Sequence, residues 1–458
     1  MIVSAQIPYV TFSSWTGERE LATFGSNVGS PILAFQGWRH FKEAFAPEIV
    51  RRAVTETKGP MHHIVDPFGG SGTTALAAQF LGVRSTSIEV NPFLADLIEA
   101  KLAIYDLDRV AAAFRRLIDD VFRNRPVDYP YFPGAPRTFV EPGIDGRYIF
   151  SKKVAERLAA YRRAITNVSD PHFRRLFRVI LASVTVPVSN VTISGKGRRY
   201  RAGWANNTID PSTVDELFKK GLLDALYDLR RYSARGCRQY TVECGDARRS
   251  AYTTGPCDLA VFSPPYPNSF DYTDVYNIEL WTMGYLDSRE ANRRLRNATL
   301  RSHVQIKRDM TANEKASPSL FRTVKRLRAE LRSLWNRHIP DMIAAYAADI
   351  TTVLAGLATN LRPSGRVYTV VGDSRYAGID VPTADILSEI APQLGYEVVD
   401  MEPFRSMRAS PQQGGRLELS EMLVVLERND SHISGLAGVR GAPEDWPCIM
   451  SRNRVASR

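Results

Sequence analysis

Ile64-Val65-Asp66-Pro67-Phe68-Gly69-Gly70-Ser71-Gly72-Thr73-Thr74 runs from a short apolar strand through a glycine-rich turn into a helix-forming stretch that ends at Gly82. Glycine lets a backbone turn sharply, take positive φ and approach a ligand closely. The helix that follows presents unpaired amides to whatever occupies the turn. Ser85-Thr86-Ser87-Ile88-Glu89-Val90 then reads as a second strand, and Asn91-Pro92 opens another helix. Strand, glycine turn, helix and strand in that order form the first unit of a doubly wound α/β sheet. Such sheets bind ligands outside the carboxyl ends of their strands.

The alternation resumes far downstream. Residues 239–242 predict a third strand, followed by Gly245-Asp246-Ala247, and Leu259-Ala260-Val261-Phe262 predicts a fourth, followed by Ser263-Pro264-Pro265-Tyr266. A long helix over 342–361 leads to a fifth strand at 366–371, and 396–400 with 421–427 predict a closing antiparallel pair. Residues 38–55 carry Phe41, Phe45, Ile49, Val50 and Val54 at roughly helical spacing. The sheet domain is thus expected in three pieces, 36–105, 236–286 and 338–428. Residues 1–35 read as an extended arm and 429–458 as a Gly-, Ser- and Arg-rich tail. The stretch 106–235 reads as a mainly helical insertion, and 287–337 as a basic helical segment.

Composition narrows the partners. The 458 residues carry a formal charge of +11, which suggests a polyanionic partner. Between 287 and 337 there are 14 Lys and Arg against 5 Asp and Glu, so most of the excess is local. A patch of this kind fits phosphate contacts, and a solvated helical face is the plain alternative. The four cysteines form no CxxC pair and no Cys/His set has zinc-site spacing, so no metal is expected. No secretory signal is evident, no apolar run reaches the roughly 20 residues of a membrane helix, and a cytoplasmic protein with no membrane partner is expected.

Three acids fall at successive strand ends: Asp66, Glu89 and Asp246. Glu89 is placed to accept from ribose hydroxyls and Asp246 from an adenine amino group. Taken singly, each is also an ordinary strand-end or turn residue. A glycine turn alone would equally serve a phosphate or a dinucleotide, but no GxxxxGK[ST] sequence is present. After the fourth strand, the two prolines of Ser263-Pro264-Pro265-Tyr266 stiffen a loop that carries a hydroxyl, a peptide oxygen and an aromatic ring. No cysteine follows proline there, which excludes a covalent cysteine mechanism at that loop.

The Asp66–Thr74 turn and the Ser263–Tyr266 loop together resemble the cofactor and catalytic motifs of S-adenosylmethionine-dependent DNA amino-methyltransferases of the cytosine-N4/adenine-N6 family. The resemblance implies a Rossmann-like class I methyltransferase sheet, mostly parallel with a C-terminal antiparallel hairpin. It implies S-adenosyl-L-methionine held by Asp66, Phe68, Gly70, Ser71, Gly72, Thr73, Glu89, Asp246 and Phe45. In that family the Ser263 hydroxyl and the Pro264 carbonyl would accept from the target amine, Pro265 would stiffen the loop, and Tyr266 would stack on an extruded base. Serine in the first position is the form associated with cytosine N4, whereas Asp or Asn is more usual for adenine N6. The glycine turn precedes the catalytic loop, the reverse of many cytosine-N4 enzymes, and the large insertion falls before the third strand. Double-stranded DNA is the expected partner: Lys196, Arg198, Arg199, Tyr200, Arg201 and Trp204 of the insertion would read its sequence, and Arg322, Lys325, Arg326 and Arg328 of the basic segment would grip its phosphates. A cognate restriction or defence protein is a further expected partner. An adenine-N6 enzyme acting on DNA or RNA, and a nucleic-acid-binding module without activity, remain the alternatives.

Overall fold

The computed structural model describes residues 10–17, 19, 32–39, 41, 44–123, 127–194, 197–206, 208–236, 239–267, 270–408 and 418–429. The first elements are helices α1 (Phe12–Thr16) and α2 (Glu48–Glu56), strand β1 (His63–Asp66), helix α3 (Thr73–Phe80), strand β2 (Arg84–Glu89) and helix α4 (Pro92–Leu102). The insertion holds α5 (Leu107–Arg123), α6 (Lys152–Thr166), α7 (Pro171–Thr185), the ribbon β3 (Val191–Ser194) and β4 (Gly197–Tyr200), and α8 (Ser212–Arg231). Then come β5 (Tyr240–Cys244), α9 (Ala247–Ser250), β6 (Cys257–Phe262), α10 (Tyr272–Val275), α11 (Asn277–Thr282), α12 (Arg289–Ala298) and α13 (Pro318–Ala329). The chain closes with α14 (Ile339–Asn360), β7 (Leu361–Gly372), β8 (Ser374–Tyr376), β9 (Ile379–Val381), α15 (Thr383–Ile390), β10 (Tyr396–Arg408) and β11 (Glu418–Arg428).

Seven strands form one sheet in the order β10-β11-β7-β6-β1-β2-β5. The pairs β1–β2, β1–β6, β2–β5 and β6–β7 are parallel, and β11 runs antiparallel to both its neighbours. This is the Rossmann-like class I methyltransferase sheet with its antiparallel closing hairpin. The strand order reverses between β1 and β6, so the crevice of such a sheet opens above Asp66 and Phe262. Because β11 runs backwards, it begins at the edge where the parallel strands end: Glu421 pairs with Gly372, the last residue of β7.

Strands buried on both faces need apolar residues at odd and even positions alike. Ile64, Leu259 and Val261 pack into the core under α3, α4 and the insertion helices. Val65, Ala260 and Phe262 pack into the opposite core with α13, α14 and α15. The insertion is therefore not a free lobe, because its helices share one apolar core with the sheet.

Several expectations need correction. The first 35 residues are not an extended arm throughout: Phe12 and Trp15 of α1 are buried, and Trp15 stacks on Phe80 at 4.6 Å. The helix expected over 38–55 starts only at Glu48, preceded by Pro47. The basic segment is helical only in α12 and α13, apart from a short turn of 3-10 helix at Glu314–Ala316. Helix α14 is 22 residues long and apolar enough to cross a membrane, contrary to the shorter runs expected, yet most of it lies buried inside the protein. The tail from 430 onward falls outside the described residues.

Candidate functional site

The glycine turn is shaped by what lies beneath it. Gly72 has φ +82° and Gly70 φ +51°, a region that strains residues with a Cβ. A Cβ on Gly69 would stand 2.7 Å from Ile98 Cδ1 of α4. Three turn amides are already engaged: Gly69 N–H donates to Ile88 O, Gly72 N–H to Gly69 O, and Gly70 N–H to the Glu89 carboxylate. The free amides expected for an anion therefore narrow to Ser71 and the first turn of α3. Glu89 also accepts from Asn91 N–H, so it braces the turn from the end of β2. Burial pushes the carboxyls of Asp66 and Glu89 up to about 7, against the hydrogen bonds each accepts. From below, Lys101 donates to Ser71 O at 2.7 Å, and burial pushes its ammonium down to about 7.

Ser263–Tyr266 follows β6 and faces this turn across one cleft of about 380 Å³. Ser263 Oγ donates to Tyr266 Oη at 3.1 Å, and Tyr266 Oη in turn donates to the Glu421 carboxylate on β11. The hydroxyl proton of Ser263 thus points away along the loop, which leaves its lone pairs as acceptors. Glu421 was missed by the sequence reading, as was the wall formed by Ala298, Thr299, Leu300, Ser302 and His303. That wall is the part of the basic segment just after α12. Its arginines face inward: Arg301 binds Asp349, Arg296 binds Asp271, and Arg308 donates to the Thr299 and Leu300 carbonyls. These three cations hold the wall in place and are not available to phosphates. Asp271 caps α10 and binds Thr273 as well, behind the cleft. Burial lowers the His303 imidazole below its usual value despite Asp271, so it is neutral.

The remaining candidates divide. Asp66, Phe68, Gly70, Ser71, Thr73, Glu89, Phe45 and Asp246 all line the cleft, whereas Gly72 does not and serves as the cap of α3. Asp246 is engaged by Arg248 through the backbone N–H, Nε and Nη2, so its oxygens are largely taken. Arg201 donates to the carbonyls of Ser189, Val191 and Val186, clamping the β3–β4 ribbon. Arg199 is exposed on that ribbon, Arg198 lies 3.7 Å from Asp274, and Lys196 falls outside the described residues. On α13, Arg322, Lys325 and Arg326 are exposed, while Arg328 is tied to Glu314 and Asp341. Among the described residues no group of His, Cys, Asp and Glu could hold a metal.

A family model described as DNA methylase, N6_N4_Mtase, matches residues 11–100, the segment that contains the glycine turn. The chain is 24% identical to the Type II methyltransferase M.BsoBI of Geobacillus stearothermophilus, over 90% of this chain and 89% of that one. It is 25% identical to the Type II methyltransferase M.AvaI of Nostoc sp., over 83% and 82%. These matches support an amino-methyltransferase. The solved structure of TrmN from Thermus thermophilus covers 83% of this chain and 48% of its own at a TM-score of 0.28 and 10% identity; the fold assignment rests on strand order instead.

For an amino-methyltransferase of this fold, S-adenosylmethionine is the methyl donor, and the cleft suits it. Its volume lies within the roughly 300–1,000 Å³ of small-molecule sites. Phe41, Phe45, Phe68 and Leu94 supply apolar walls, and the acids stand at the strand ends. Asp66 and Glu89, both buried, would favour a cation once ionised. A carboxyl raised in the folded protein is protonated below about 7 and ionised above it, so cofactor affinity should strengthen as pH rises through that value. Calorimetry should show binding about tenfold tighter at pH 8 than at pH 6, with Asp66→Asn flattening the trend. An affinity that does not vary with pH would exclude this role.

Proposed function

We propose that this protein transfers a methyl group from S-adenosylmethionine to the exocyclic amino group of a base extruded from double-stranded DNA, with cytosine N4 as the target. The observation that carries the reading is the facing of the Ser263–Tyr266 loop and the glycine turn across one cleft. Relatives named as Type II methyltransferases support DNA as the substrate and a restriction–modification setting; a cognate nuclease as partner is part of the proposal.

When bound, S-adenosylmethionine supplies an activated sulfonium methyl. Asp66, Glu89, Ser71, Thr73 and Phe45 would hold it, with Asp246 contributing where Arg248 permits. An aromatic amine is a poor nucleophile because its lone pair is delocalised into the ring. Ser263 Oγ and the Pro264 carbonyl accept its two hydrogens, which favours a pyramidal nitrogen with its lone pair free. Pro264 and Pro265 fix those acceptors in advance, so little reorganisation is needed on reaction. Tyr266 offers a ring against which the base stacks. Proximity then supplies much of the rate. For the duplex, the ribbon with Arg198 and Arg199 and the exposed face of α13 with Arg322, Lys325 and Arg326 are the candidate grips.

Expression in a host that lacks DNA methylation, followed by nucleoside analysis of its DNA, tests the reading. N4-methylcytosine is the expected product. N6-methyladenine would overturn the cytosine assignment, and unmodified DNA from a chain that binds no cofactor would favour an inactive binding module.

A further inference from the structure

We propose that Glu421 is the terminal acceptor of the proton that methylation removes from the target amine, reached through Ser263 and Tyr266. The inference rests on the methyl-transfer reading above and adds the route by which the reaction completes. As the nitrogen–methyl bond forms and the donor's carbon–sulfur bond breaks, the amine nitrogen becomes cationic and must lose one proton. Ser263 Oγ takes that proton while its own passes to Tyr266 Oη, and the tyrosine proton passes to the Glu421 carboxylate. The polarity is already set for this: Ser263 donates to Tyr266 at 3.1 Å, and Tyr266 donates to Glu421. The donor's positive charge and the carboxylate's negative charge disappear together, so the cleft keeps its net charge. In a site of low dielectric that balance matters more than it would in water.

The topology explains why the acceptor sits there. Glu421 is 3% exposed, lines the cleft and stands at the strand edge above β7, opposite the glycine turn. Among the described side chains, Tyr266 on the loop bonds to it, and Asp373 lies just past its register partner Gly372. Glu421 does not touch the base in this scheme. It positions the Ser263 oxygen as an acceptor and receives the proton at the far end.

The test compares wild type, Glu421→Gln, Glu421→Asp and Tyr266→Phe in single-turnover methyl transfer to duplex DNA across pH, with cofactor affinity measured by calorimetry. Glu421→Gln should lose about 100-fold in rate and change the pH profile while binding cofactor as the wild type does. Glu421→Asp should recover part of both. Tyr266→Phe keeps the ring, cuts the relay without touching β11, and should match Glu421→Gln. A Glu421→Gln or Tyr266→Phe variant with the wild-type rate and pH profile would overturn the relay. A wild-type protein that places no methyl on any base amine would instead sink the methyl-transfer reading itself.

Discussion

Tyr266→Ala should lower turnover by about two to three orders of magnitude while leaving cofactor affinity close to that of the wild type. Two losses combine in that substitution. Stacking of a base on an aromatic ring is worth about 1–3 kcal/mol, and each 1.36 kcal/mol is roughly tenfold in rate. The hydroxyl is lost as well, and with it the bond that draws the Ser263 proton away from the cleft. A Ser263 hydroxyl free to rotate can turn its hydrogen towards the amine, which converts an acceptor into a donor at the reacting atom. Cofactor affinity should be spared because the glycine turn is braced by bonds to Glu89, Ile88 and Lys101. Steady-state kinetics with a calorimetric affinity for S-adenosylmethionine checks both halves. Affinity falling in step with turnover would show that Tyr266 belongs to the cofactor wall.

What the sequence revealed follows from the range of the interactions involved. The glycine turn is legible because three glycines between a strand and a helix mark it in the sequence, although Ile98, Glu89 and Lys101, distant in the chain, brace it. The Ser263–Tyr266 loop is legible because two adjacent prolines after an apolar strand admit few backbones. Glu421 was not singled out, although a signal was present: in an antiparallel closing strand the first residues, not the last, reach the ligand edge. The wall at Ala298–His303 had no such signal, because its place is fixed by ion pairs to residues 25 or more positions away. Basic residues misled for the same reason. Arg201, Arg296, Arg301 and Arg308 read as a polyanion surface, yet each is held by carbonyls or buried carboxylates. Net charge in a segment does not say which cations face water.

Asp349→Asn should lower the unfolding free energy by about 3–5 kcal/mol. Asp349 is a lone buried acid on the apolar helix α14, 2% exposed. It accepts from Arg301 N–H and Nη2, each at 2.7 Å, and from Arg248 Nη1 at 3.3 Å. Asparagine keeps the shape but removes the charge that two largely buried guanidiniums face. Arg248 in turn holds Asp246 and the Asn297 carbonyl, and Arg301 holds the start of the cleft wall. The loss should therefore spread to the site: α12 and the wall after it should become more accessible to hydrogen exchange, and cofactor affinity should weaken. Arg328→Ala provides the contrast. Its ion pairs with Glu314 and Asp341 lie at the surface, and breaking them should change stability by no more than about 1 kcal/mol. Denaturant unfolding of both variants decides the matter. A loss at Asp349 no larger than that at Arg328 would mean that the two buried arginines are solvated or paired elsewhere, and that the cleft wall is held by its apolar contacts alone.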